Sequence, residues 1–181
     1  MDFGKLKNKN SAKAIALVGI MAATVECGKL ALSFLPNIEV VTLLLALFGY
    51  VFGWYGVMAA VVFVCIEPLI WGFGSWVLTY IIYWPLVAFA FMLLHRVKVK
   101  NRWLLTASAV GLIVFFGILS SLIDTAFYLG INEYYFSNFL MFYMRGAVFY
   151  VVQLACNIAL FSALFPYLSG KLSRIRQGLR L

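Results

Sequence analysis

Glu26, Lys29, Glu67, Asp124 and Arg145 all stand inside long apolar stretches of the chain. An ionised group surrounded by hydrocarbon is costly, so each of these should have a partner or a task. Trp71, Trp76, Tyr80, Tyr83 and Trp84 crowd around a break at Gly72 and Gly74, with Glu67 just before it. Rings with polar edges stack on flat molecules and hydrogen-bond at their rims. Arg145 suits a carboxylate or phosphate, as a planar fork of donors does. Glu26, Glu67 and Asp124 suit amines or amides. Glu67 and Asp124 could in principle supply acid–base chemistry. No histidine partners them, however, because the lone His95 lies far off at a basic segment end.

The elements that must position these groups are helices in a membrane. The 181-residue chain is 65% hydrophobic and 11% charged, with mean hydropathy +1.02. A soluble domain is nearer half apolar and a quarter charged. The composition therefore predicts an all-α integral membrane protein, a single transmembrane domain over 1–181, with no room for a soluble one. Apolar runs bounded by turn residues place six helices at about 14–35, 40–52, 57–71, 76–95, 103–129 and 139–168. The second and third are short for spanning a bilayer. Pro85 is expected to kink the fourth. Cys27, Cys65 and Cys156 match no metal or disulfide spacing and read as packed thiols. Neither a metal nor a cofactor is expected.

Basic residues cluster at Lys5, Lys7, Lys9 and Lys13, at Arg96, Lys98, Lys100 and Arg102, and at Lys171, Arg174, Arg176 and Arg180; only Lys29 and Arg145 of the fourteen fall elsewhere. With six helices all three clusters share one side, and the positive-inside rule makes that side, with both termini, cytoplasmic. The opposite side holds Glu39 and Glu133. Charge placed this way reads as membrane orientation, not as a nucleic-acid surface. The ionisable residues within helices, with Trp71, Trp76, Tyr80 and Tyr128, then fall in the outward halves. That pattern predicts an aromatic, polar cavity open to the outside above an apolar floor. The alternative is a set of structural ion pairs beneath an interfacial aromatic belt. Glu26 and Lys29, three apart, can pair on one helix face, and Asp124 or Glu67 is the expected partner of Arg145 unless a ligand supplies the anion. The expected ligand-binding set is Glu26, Lys29, Asn37, Glu67, Trp71, Trp76, Tyr80, Trp84, Asp124, Tyr128, Arg145 and Gln153.

Three segments carry a resemblance. The first helix presents Ala12, Ala16, Gly19 and Ala23 at helical spacing, which lets another helix approach closely. Leu35-Pro36-Asn37-Ile38-Glu39-Val40-Val41-Thr42-Leu43 leads to Gly49-Tyr50-Val51-Phe52-Gly53. Glu67-Pro68-Leu69-Ile70-Trp71-Gly72-Phe73-Gly74-Ser75-Trp76 leads to Tyr80, Tyr83 and Trp84. With the six-helix size, these make the chain resemble the substrate-binding S component of an energy-coupling factor (ECF) transporter, the vitamin-uptake branch of ABC importers. The resemblance implies a multi-pass protein of the bacterial plasma membrane that binds a vitamin-like micronutrient at the extracellular face. It implies docking through the small-residue face on a transmembrane coupling subunit, with two cytoplasmic ATPases driving release. No Gly-x-x-x-x-Gly-Lys-[Ser/Thr] loop is present, so the chain is expected not to be an enzyme and ATP chemistry falls to those partners. The ligand residues of thiamine, biotin and riboflavin binders have no match here, so no substrate carries over. Two other readings stand beside this one: an intramembrane enzyme, and a self-contained transporter, for which no internal repeat is visible.

Overall fold

The computed structural model describes residues 3–35 and 38–179, with side chains from Ser11 onward. Its elements are α1 (Phe3–Leu32), α2 (Val41–Phe52), α3 (Trp54–Trp71), α4 (Ser75–Arg96), α5 (Arg102–Leu129) and α6 (Tyr135–Leu179), and the described residues contain no strand. Five stretches are long and apolar enough to cross a membrane, from Ser11–Leu32 in α1 to Tyr135–Leu179. The sixth helix in that count, α2, has 12 residues and rises about 18 Å, short of a hydrocarbon core of about 30 Å.

That short helix is the centre of the bundle. It packs against α1, α3, α4 and α6, and ten of its residues are buried, from Val41 through Phe52. A helix apolar all round needs neighbours all round. Two glycines allow the closest approaches. A Cβ on Gly49 would overlap the backbone of Ala88 in α4, and one on Gly56 would overlap the backbone of Phe48. Gly53, with φ 62°, turns α2 into α3, and Gly72, with φ 79°, ends α3 where its N–H meets the Pro68 carbonyl at 3.0 Å. Both are left-handed conformations that glycine adopts without a Cβ clash.

The ends of α1 and α6 differ from those expected. α1 begins at Phe3 instead of near Ala14 and stops at Leu32, before Leu35. The segment leading into Pro36 folds as a turn, with Leu35 N–H on the Leu32 carbonyl at 2.9 Å, because a residue before proline avoids the helical region. α6 starts at Tyr135 and continues past residue 168 and through Pro166 to Leu179. The basic tail stays helical because Leu168, Leu172 and Leu179 still pack on the core, and Arg176 donates to the Val51 carbonyl at 2.6 Å.

At the basic end Phe91, Phe161 and Phe165 pack with centroids 5.3–5.5 Å apart, and Tyr50 joins them at 5.4 Å from Phe165. Tyr50 also donates to the Val99 carbonyl at 2.7 Å and meets the edge of the exposed His95. Large apolar side chains, including Ile15, Leu69, Phe73, Ile131 and Val148, face outward. Cys27 and Cys65 are exposed too, and Cys156 is half-buried. The expectation of packed core thiols therefore fails for two of the three cysteines. A lipid-facing helix surface is as apolar as a protein core, so apolar neighbours in sequence do not mark the inside.

Candidate functional site

At the end of the bundle away from the basic clusters a cavity of about 370 Å³ opens between the helices. That lies within the usual range for small-molecule sites, about 300–1,000 Å³. The last turn of α1 supplies Lys29, and the 33–39 connection supplies Ser33, Leu35, Ile38 and Glu39. The final turn of α3 gives Trp71, the first turns of α4 give Tyr80 and Trp84, and Phe116 of α5 and Gln153 of α6 complete the wall. Tyr80 and Trp84 are four apart, so one helix face presents both rings; their centroids lie 5.4 Å apart.

Lys29 reaches across from α1 to α3 and forms an ion pair with Glu67. Glu67 is fully buried, while the Lys29 side chain is 24% exposed. The ammonium also sits 5.2 Å from the Trp71 ring centroid and 5.5 Å from that of Tyr80. Both are within the range where a ring face attracts a cation. Glu26 lies against Glu67 instead of pairing with Lys29, and neither of its buried carboxylate oxygens meets a donor. The intrahelical Glu26–Lys29 pair is thus replaced by a pair between helices. An i,i+3 contact contributes a few tenths of a kcal/mol. A fully buried carboxylate without a counter-ion costs far more, so Glu67 takes the lysine.

Glu39 is the site residue that sequence reasoning missed. Its Oε2 accepts from the Thr42 N–H at 2.8 Å, and its Oε1 accepts from the Thr42 hydroxyl and the Asn157 amide, both at 2.7 Å. A carboxylate just ahead of α2 satisfies an orphan N–H of its first turn and meets the positive end of the helix dipole. Its position three residues before Thr42, at the head of an apolar run, is the available signal. Asn157 is fully buried, on the same face of α6 as Gln153 one turn earlier, and its amide also donates to the Gln153 carbonyl at 3.0 Å. The side chain of Gln153 is 5% exposed and makes no hydrogen bond within the described residues.

The remaining expected residues lie off the cavity. Asp124 accepts from the Ser75 hydroxyl at 2.5 Å, tying the start of α4 to α5. Trp76 packs edge-on to Tyr80 at 5.1 Å without reaching the wall. Tyr128 is exposed and stacks on Phe142 at 6.4 Å. Arg145 is exposed and forms no ion pair among the described residues, against the expectation of a pairing with Asp124 or Glu67. The cause is where α6 buries itself: its buried residues are Gln153, Asn157, Phe161 and Phe165, all beyond Arg145. The earlier part packs on α5 through Tyr150, whose hydroxyl lies 3.2 Å from those of both Ser120 and Ser121. Asn37 lies outside the described residues.

The small-residue face of α1 lies outside the bundle. Ala12, Ala16, Gly19 and Ala23 are all exposed, and a Cβ on Gly19 would meet nothing within 4 Å. Comparison with protein-family models, with curated proteins and with solved structures finds no match for this chain.

Proposed function

We propose that this chain is the substrate-binding membrane subunit of an ECF-type importer. In this reading both termini lie in the cytoplasm of a bacterial cell, and the cavity faces outward. It captures a vitamin-like small molecule and hands it to a transmembrane coupling subunit driven by two ATPases. The observation that carries the reading is the cavity itself: a pocket of ligand size, walled by Trp71, Tyr80, Trp84 and Phe116, at one end of an otherwise apolar bundle. Below it, the buried α2 and the Phe91–Phe161–Phe165 stack leave a dense apolar floor. Such a floor suits capture and release on one side better than continuous conduction, which needs polar groups along the whole path. The open face at Ala12, Ala16, Gly19 and Ala23 adds a surface where a partner helix can pack closely.

The test is purification from native membranes under mild detergent, with identification of co-purifying proteins and retained metabolites. A coupling protein, two ATPases and a bound small molecule are expected. Ala16→Trp should abolish the complex while leaving the small molecule bound. An isolated protein with neither partner nor ligand would refute the proposal.

A further inference from the structure

The cavity wall carries a carboxylate that no cation among the described residues neutralises. Glu39 is held by Thr42 and Asn157, both uncharged donors, and forms no ion pair among the described residues. The ammonium on the wall, Lys29, is already engaged by the buried Glu67. Behind that pair Glu26 lies against Glu67 and supplies no cation. Arg145, which sequence alone offered as an anion-binding group, stands on the exposed surface of α6.

The wall is also aromatic, with Trp71, Tyr80, Trp84 and Phe116. Trp84 lines the cavity, is only 4% exposed, and its indole Nε1–H has no acceptor within the described residues. A buried N–H without an acceptor has lost its water and gained nothing in return. The nitrogen itself is closed off from the cavity, so the ring meets a ligand through its carbon framework.

Resting on the reading of this cavity as a substrate site, we infer that its substrate is a flat organic cation. The molecule is a conjugated ring bearing a delocalised or quaternary positive charge. Charge complementarity to Glu39 favours a cation, although the carboxylate is only half-buried at the bundle end and solvent screens part of the attraction. The ring faces add to it: they stack on any flat ring, and a cation gains the further attraction of the aromatic quadrupole. Two of these rings, Trp71 and Tyr80, already hold the ammonium of Lys29 within 5.5 Å. A carboxylate or phosphate on the ligand would face Glu39 with no free cation among the described residues of the wall to receive it.

The experiment is calorimetric titration of the full chain in nanodiscs of uncharged lipid with three probes of similar shape. They are 1-methyl-4-phenylpyridinium, the net-neutral 4-phenylpyridine N-oxide and biphenyl-4-carboxylate. The cation should bind about ten-fold or more tightly than the neutral compound, and the carboxylate should bind weakest. In Glu39→Gln the cation-over-neutral ratio should fall to within about three-fold, as expected when the charge term is gone. A ratio measured in one preparation is not imitated by a loss of stability, and the wild-type series decides even if the variant fails to fold. Equal or tighter binding of the neutral or anionic probe overturns the inference, as does a preference unchanged in Glu39→Gln. Mass spectrometry of the metabolite retained from native membranes separates the two levels. A retained anion or uncharged compound overturns the charge assignment and leaves the substrate site standing. No retained compound and no bound probe overturns both.

Discussion

Replacing Lys29 by methionine keeps the length and apolar stem of the side chain and removes its charge. Glu67, fully buried, then faces Glu26 with no cation beside it. Breaking a buried pair by deleting one partner costs roughly 3–5 kcal/mol. The Lys29 side chain is 24% exposed, so solvent already screens part of the pairing and the low end applies. Loss of the contacts to the Trp71 and Tyr80 rings adds about 0.5–1 kcal/mol. A total of about 4 kcal/mol corresponds to a fall of about 8–16 °C in Tm for a chain of this size. Fluorescence-detected thermostability in detergent, on ligand-free protein, reads this directly. The double variant Lys29→Met/Glu67→Leu removes both charges and should recover most of the loss, giving a coupling of about 2 kcal/mol or more. Glu26→Gln should show little coupling with Lys29. A Tm within about 2 °C of wild type for Lys29→Met, less than about 1 kcal/mol by the same scaling, would refute the argument. So would a double variant no better than the single one, or a stronger coupling of Lys29 to Glu26.

Gly49→Leu should prevent α4 from seating on α2, and the protein should be lost at size-exclusion chromatography; Gly19→Leu, which faces open space, should elute and melt like wild type. Arg145→Ala should leave both Tm and ligand affinity unchanged, because the guanidinium is exposed and unpaired among the described residues; a Tm fall above about 4 °C, or about 1 kcal/mol or more, would place it in a contact not described above. For orientation, single cysteines at Asn101 and Asn132 in a background lacking Cys27, Cys65 and Cys156 should differ in labelling by an impermeant reagent on intact cells. Only the one at 132 is expected to react, and labelling at 101 would reverse the assigned topology.

Composition and hydropathy alone determine that this chain is helical and suited to a membrane. Sixty-five per cent hydrophobic residues in runs of about twenty suit helices that cross a membrane, where backbone groups must bond within their own segment. The same local signals place Trp71, Tyr80 and Trp84 around a break at Gly72, and Lys29, Trp71, Tyr80, Trp84 and Gln153 do line one cavity. Tertiary structure decided what each charge meets. Lys29 leaves its neighbour Glu26 for Glu67, 38 residues away in the chain, because burial on another helix makes that carboxylate need a cation. Glu39 looked like a turn acid and became the carboxylate of the cavity wall, fixed by Asn157, 118 residues on. Arg145 shares the polar end with these groups, yet α6 turns it outward because the buried face of that helix begins only at Gln153. Helical periodicity sets which residues share a face but not which face meets a neighbour. In a chain whose lipid-facing and core-facing surfaces are equally apolar, only packing makes that choice.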